Sequence, residues 1–256
     1  MIPDFATRYG QWAVITGASS GIGREIAIAA ARAGLKVALV ARSQEPLLQL
    51  AQQLKGEAIP LDLTRPSAPD TLLETLGNRS IGLLVNAAGF GSGGPFVSSS
   101  LRNELGMLEL NCHAVLSLTH VFAQRFAAQR RGGIILFSSI VAWQGAPFAA
   151  NYAATKAYIQ SLGEALHREL KSHSVDVLCS APGPTASGFA DRAGMTMTDA
   201  EPAARIAQDT LNALGKRATV IPGIKGKLLT AALSTAPRSL RVRIMEGIMS
   251  GMTRAK

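Results

Sequence analysis

Short apolar runs alternate with helix-patterned stretches along most of this chain, and that alternation restricts its fold more than any other feature. The runs cover residues 12–16, 36–41, 57–61, 81–85, 133–138, 175–180 and 218–221. Most are too continuously apolar for a strand with one wet face and suit strands covered on both sides. Between them, the Ala-rich text from Ile22 stops at Gly34, and residues 46–54, 70–76, 101–130, 151–172 and 201–214 carry helical spacing. Parallel strands need crossover helices, and such crossovers are right-handed.

The expected fold class is therefore α/β: one doubly wound, Rossmann-type domain with a central parallel sheet of about seven strands and helices on both faces. The 256 residues fit one such domain. Residues 1–222 read as the dinucleotide-binding catalytic part and 223–256 as its basic, amphipathic helical C-terminal extension. With 47% hydrophobic residues the chain is not disordered, and Cys112 and Cys179 match no metal-ligand spacing. No metal site, no disulfide scaffold and a reducing compartment are expected. The start, Met1-Ile2-Pro3-Asp4-Phe5, lacks the pattern of a secretory signal, and no stretch reads as a spanning helix. A cytoplasmic protein is expected, at most peripheral to a membrane.

Folds of this class bind ligands at the carboxyl ends of their strands. After the first strand comes Thr16-Gly17-Ala18-Ser19-Ser20-Gly21-Ile22-Gly23. Glycines there permit a tight turn and a close approach of backbone to pyrophosphate, helped by the helix dipole. The second strand ends Ala41-Arg42-Ser43. No carboxylate stands there to repel a 2′-phosphate, and Arg42 can bind one through a charge-assisted fork, so NADP(H) is expected, with NAD(H) less favoured. Tyr152 and Lys156, four apart at the start of a helix, share one face. An ammonium beside a phenol is expected to lower its pKa from about 10 toward neutrality. Ser139, at the end of the fifth strand, can reach the same space.

On these residues the chain resembles the short-chain dehydrogenase/reductase family over roughly residues 10–222. The resemblance rests on Thr16 to Gly23, Asn86-Ala87-Ala88-Gly89, Asn111, Ser139, Tyr152, Lys156 and Pro182-Gly183, with Ser139 preceding Tyr152 by thirteen residues. It implies that Tyr152 is the proton donor in carbonyl reduction, that Lys156 tunes it and holds the nicotinamide ribose, that Ser139 orients the carbonyl, and that Asn111 holds a water. It implies cofactor contacts from Gly17, Ser19, Ser20, Gly21, Ile22, Gly23, Arg42, Ser43, Asp62, Leu63, Asn86, Ala88, Gly89, Pro182, Gly183 and Thr185. Where the family has a second asparagine this chain has Ala87, and either Thr185 or Ser187 is the hydroxyl that follows the proline.

The substrate is expected to be a small carbonyl or alcohol, with lipophilic ketones suggested by the wording around Arg42 and Pro182. Phe90, Phe96, Trp143, Phe148 and Phe189 are candidate walls of an apolar pocket. Helices 101–130 and 151–172 suggest a homodimer or homotetramer. A nucleotide sensor without turnover is the alternative, against which the intact Asn111, Ser139, Tyr152 and Lys156 stand. Residues 216–256 carry nine basic residues against Glu246 alone, while residues 1–215 are nearly neutral. This balance gives no reason to expect nucleic acid. In the tail Leu240, Ile244, Ile248 and Met252 form one stripe, with Arg238, Arg241, Arg243, Arg254, Lys225 and Lys227 around it. That stripe either packs on the body of the chain or on a second subunit as a lid on the pocket, or attracts an anionic membrane or an acidic partner.

Overall fold

The computed structural model describes residues 5–253. Helix α1 (Phe5–Tyr9) leads into strand β1 (Trp12–Thr16), and α2 (Gly21–Arg32), β2 (Lys36–Ala41), α3 (Gln44–Leu54) and β3 (Glu57–Pro60) follow. Next come α4 (Ala68–Leu76), β4 (Ile81–Asn86), α5 (Leu101–Leu108), α6 (Ala114–Gln129) and β5 (Gly132–Phe137). Helix α7 (Ala150–Glu169), β6 (Val175–Ser180), β7 (Thr185–Ala186), α8 (Phe189–Ala193), β8 (Glu201–Pro202), α9 (Ala203–Ala213) and β9 (Thr219–Val220) continue the chain. Two helices, α10 (Ile224–Ser234) and α11 (Arg238–Thr253), close it.

Seven strands make one parallel sheet in the order β3-β2-β1-β4-β5-β6-β9. Successive side chains of β1 leave on opposite faces, as the pleat requires. Ala13 and Ile15 join a core with Ile26 and Ala27 of α2 and Ile206 of α9. Val14 faces the other way, with Leu72 of α4, Phe122 and Phe126 of α6 and Ile159 of α7. The sheet is thus buried on both sides, which is why its strands carry no polar alternation. The order reverses beside β1, between its neighbours β2 and β4, and the crevice at that point holds the first glycine loop.

Three elements depart from the expected ones. The expected helix 101–130 is interrupted by a π-helical turn, Glu109–His113, between α5 and α6. The expected helix 151–172 finishes as a 3₁₀ turn, Leu170–His173. The expected helix 201–214 begins only at Ala203, because Glu201 and Pro202 pair with β7 in a separate two-stranded ladder. Proline suits that position just ahead of a helix, where its missing N–H costs nothing. Among the described residues no helix is long and apolar enough to cross a membrane.

Candidate active site

At the switch point lies a cleft of about 260 Å³, lined by Gly17, Ser19, Ser20, Gly21, Ile22, Gly23, Arg42, Ser43, Asp62, Leu63, Ala88 and Gly89. Backbone approach explains the glycines. Gly17 takes a φ of 67°, and a side chain there would meet the Ala88 backbone at 2.8 Å. A side chain at Gly21 (φ 55°) would meet Ser187 at 2.9 Å. Thr16 ends β1 and fixes the opposite wall: its Oγ1 accepts from the N–H groups of Ala87 and Ala88 at 3.1 and 3.0 Å. Asp62 Oδ1 accepts from the Thr64 N–H and hydroxyl at 3.1 and 2.9 Å. Burial pushes that carboxyl up, yet the Thr64 bonds, Arg42 and Arg65 outweigh it and hold Asp62 below the usual carboxylate range.

The residues present suit a phosphorylated dinucleotide. The amino-terminal turn of α2 faces the cleft, and Ser20 at its cap spends no side-chain hydrogen bond on the helix. Arg42 stands at the end of β2, and no carboxylate adjoins it in Ala41-Arg42-Ser43.

Four of the expected contact residues do not line this cleft. The Asn86 side chain points into the core, its Nδ2 donating to Thr119 Oγ1 at 3.1 Å, so it ties β4 to α6 rather than lining the cleft. Pro182, Gly183 and Thr185 line a second cavity instead. Pairing of β7 with β8 holds Thr185 there, and its hydroxyl donates to Gly183 O at 2.9 Å. Ser187, the other hydroxyl considered, lines both cavities.

Ser139 and Tyr152 sit together in that second, apolar cavity, of about 130 Å³. The Ser139 hydroxyl is held near Pro182 O at 3.5 Å and accepts from the Val141 N–H at 3.4 Å. Burial pushes the Tyr152 phenol up to about 12, with the Ser139 hydroxyl acting the other way. The expected lowering by Lys156 is not what the side chains do. Lys156 Nζ donates to Phe137 O at 2.8 Å and lies 5.7 Å from the Tyr152 ring centroid. Burial pulls this lysine down to about 8, with a smaller opposite push from Cys112.

Asn111 lies on the π-helical turn and is buried beside the lysine. Its Nδ2 donates to Phe90 O at 2.8 Å and Thr155 Oγ1 at 3.1 Å, while its Oδ1 accepts from the Phe90 N–H at 3.1 Å. A side chain at Gly89 would lie 3.0 Å from Asn111 Oδ1 and 3.6 Å from Lys156 Nζ, so that glycine keeps the corner open. Asn111, Ser139 and the α7 pair Tyr152 and Lys156, drawn from three separate stretches, thus meet within one corner of the fold.

The apolar wall differs from the expected one. Of the five aromatic residues proposed for it, only Phe189 lines the cavity, its ring 5.3 Å from that of Tyr152. Phe96 is 64% exposed. Phe148 faces a separate small cavity, and Trp143 lines none of those described. Phe90 lies instead beneath the Arg192 guanidinium, 4.3 Å from its carbon. Five of the chain's seven methionines make the wall: Met195, Met197, Met245, Met249 and Met252. Three of them come from α11, whose inward face is Met245, Ile248, Met249 and Met252.

The expected tail stripe is therefore rotated. Leu240 and Ile244 are 46% and 38% exposed, and Ile248 and Met252 belong to the inward face. Arg254 lies outside the described residues. Sequence reasoning also missed Arg192, on α8, which lines the nucleotide cleft. Thr16 opens the glycine-loop motif in the sequence, but its part in holding the opposite wall shows only in the fold.

A family described as short chain dehydrogenase matches residues 11–197. The chain is 30% identical to a 7beta-hydroxysteroid dehydrogenase of Clostridium sardiniense over 188 residues, 71% of this chain and 72% of that protein. It is 32% identical to a very-long-chain 3-oxoacyl-CoA reductase of Pyricularia oryzae over 66% of this chain, but the match spans only 54% of that protein's length. Among solved structures, a short-chain dehydrogenase from Sphingobium yanoikuyae in complex with NADPH superposes with a TM-score of 0.78. It is 28% identical, with 96% of this chain and 98% of that one covered.

Proposed function

The chain belongs to the short-chain dehydrogenase family and is an oxidoreductase of hydroxyl and carbonyl groups; from that premise we propose that it reduces a bulky, apolar ketone with NADP(H). One observation carries the reading. The apolar cavity that holds Ser139 and Tyr152 shares Ile22, Ser187 and Phe189 with the nucleotide cleft, so a ketone and a dinucleotide would meet beside the phenol.

A bound nicotinamide supplies the hydride that the carbonyl carbon receives. The chain's own groups handle the oxygen. Ser139 donates a hydrogen bond to it, and the Tyr152 Oη–H bond breaks as the proton passes to it, leaving a hydroxyl on the product. At about 12 the phenol is fully protonated at neutral pH, the correct state for an acid. Its phenolate would be costly in this dry pocket, and the Lys156 ammonium, 5.7 Å from the ring centroid, is the cation that would compensate it. Asn111, packed beside Lys156 in the corner kept open by Gly89, is the residue suited to holding the water that returns the proton. The reverse sequence oxidises an alcohol.

Methionine side chains are long and soft, so the cavity can widen around a ligand larger than its present volume. The test is a series of ketones of rising size assayed with NADPH. Bulky apolar ketones should show half-saturation at least tenfold below that of small polar ones; the opposite order would contradict the substrate reading.

The apolar residues Leu101, Leu105, Leu108, Leu116 and Tyr158, exposed on α5, α6 and α7, support a homodimer or homotetramer built on those helices. The basic outer side of α10 and α11, with exposed Lys225, Lys227 and Arg243, is where weak contact with an anionic membrane would form.

A further inference from the structure

Helix α8 borders both cavities: Phe189 lines the two of them, and Arg192 lines only the nucleotide cleft of the two. Phe189 stacks on Tyr152 at the catalytic end. Arg192, one turn later, lines the nucleotide cleft with Arg42. The same two arginines also line an adjoining cavity of about 600 Å³, so the pair stands where the two meet. Neither guanidinium belongs to a salt bridge among the described residues.

Asp62, in the same cleft, offsets part of the Arg42 charge, but Arg192, brought beside Arg42 from 150 positions away, meets it as a like charge. Burial first, and Arg42 second, hold the Arg192 guanidinium below the usual arginine range. Phe90 supports Arg192 from behind, ring against guanidinium, and so keeps it pointed at the cleft without supplying a counter-charge.

We propose that Arg192 is a second reader of the 2′-phosphate, which it and Arg42 bind together, holding α8 over the cofactor. This rests on the NADP(H) reading and adds to it a link between cofactor choice and the ketone pocket. When the phosphate holds Arg192, α8 is fixed with Phe189 in its place against Tyr152. Coupling between binding sites is reciprocal, so NADPH tightens the ketone by the factor with which the ketone tightens NADPH, and NADH does so less.

The experiment measures dissociation constants of NADPH and NADH by calorimetry for the wild type, Arg42→Ala, Arg192→Ala and Arg192→Lys. One charge-assisted hydrogen bond corresponds to about a ten- to hundredfold change in affinity. Arg192→Ala should weaken NADPH by that factor and NADH by no more than about threefold, with Arg192→Lys in between. The NADPH advantage in ketone half-saturation should vanish in the same variant. If Arg192→Ala weakens both nucleotides equally, or neither, the inference is overturned. Arg42→Ala separates the levels: if it still discriminates between the nucleotides while Arg192→Ala does not, only Arg192 has been misassigned. If neither variant discriminates, the NADP(H) reading itself falls.

Discussion

At the level of single residues, the proposed chemistry depends on a phenol buried among apolar side chains with an ammonium nearby. Tyr152→Phe removes the proton that the carbonyl oxygen receives, so turnover should fall at least a thousandfold, at the upper part of the range for loss of a general acid. NADPH affinity, assigned to the glycine loop and the arginines, should stay within a few-fold. Activity within tenfold of wild type would remove Tyr152 from its role. Lys156 predicts a pH profile. Its value of about 8 means that the ammonium is present below that pH and lost above it. kcat/KM for reduction should therefore be flat to about pH 7.5 and fall through pH 8 with the loss of one proton; a flat profile to pH 10 would contradict it. The stability effect of the same group has the opposite sign. Its pKa in the fold is below the ordinary 10.5, so the unfolded chain binds more protons between pH 8 and 10.5, and this contribution to stability rises with pH across that window. Much of this site could be read in the sequence, because Ser139, Tyr152 and Lys156 stand at strand and helix ends where spacing decides geometry. Arg192 could not. It becomes visible only once α8 has folded back over the cleft, and no local pattern encodes that return.

At the level of elements, strands and crossovers were legible because a doubly covered sheet demands unbroken apolar runs. Details that arise from packing were not. The π-helical turn holding Asn111 inserts its extra residue without any sequence break, and tertiary contacts to Phe90 and Thr155 set its direction. The α11 stripe was placed at a spacing of four, which drifts around a helix of 3.6 residues per turn. The face actually buried begins at Met245 and continues through Ile248, Met249 and Met252. Glycines separate packing from propensity. Gly163 in α7 faces β6 so closely that a methyl group would collide with Cys179 Sγ and lie 3.1 Å from Leu136 Cδ1. Gly163→Ala should cost about 1–3 kcal/mol or more by overpacking. Gly247 in α11 has open space around it, and Gly247→Ala should gain up to about 1 kcal/mol of helix propensity. Urea unfolding of both variants checks the contrast, and equal shifts would mean that the packing of α7 on β6 is misdescribed.

For the molecule as a whole, the C-terminal helices are part of the pocket rather than an appendage to it. Truncation after Ile221 strips Leu229, Met245, Ile248, Met249 and Met252 from the cavity wall. Reduction of apolar ketones should collapse, with half-saturation raised at least tenfold, while NADPH binding persists. A truncated protein that keeps full activity and loses only liposome binding would show that these helices serve a membrane instead. Light scattering at micromolar concentration should give a dimer or tetramer mass, and a monomer would contradict pairing through the apolar faces of α5, α6 and α7. The central claim is that the two adjoining cavities join NADPH to a bulky apolar ketone. Its most direct test follows the nicotinamide absorbance of the intact protein with such a ketone, using NADPH and NADH in parallel. The account predicts loss of NADPH absorbance in one-to-one proportion with alcohol formed, and at least tenfold greater kcat/KM than with NADH. Alcohol formation that is no faster with NADPH than with NADH, or no oxidation of either nucleotide by any apolar ketone tried, would contradict it.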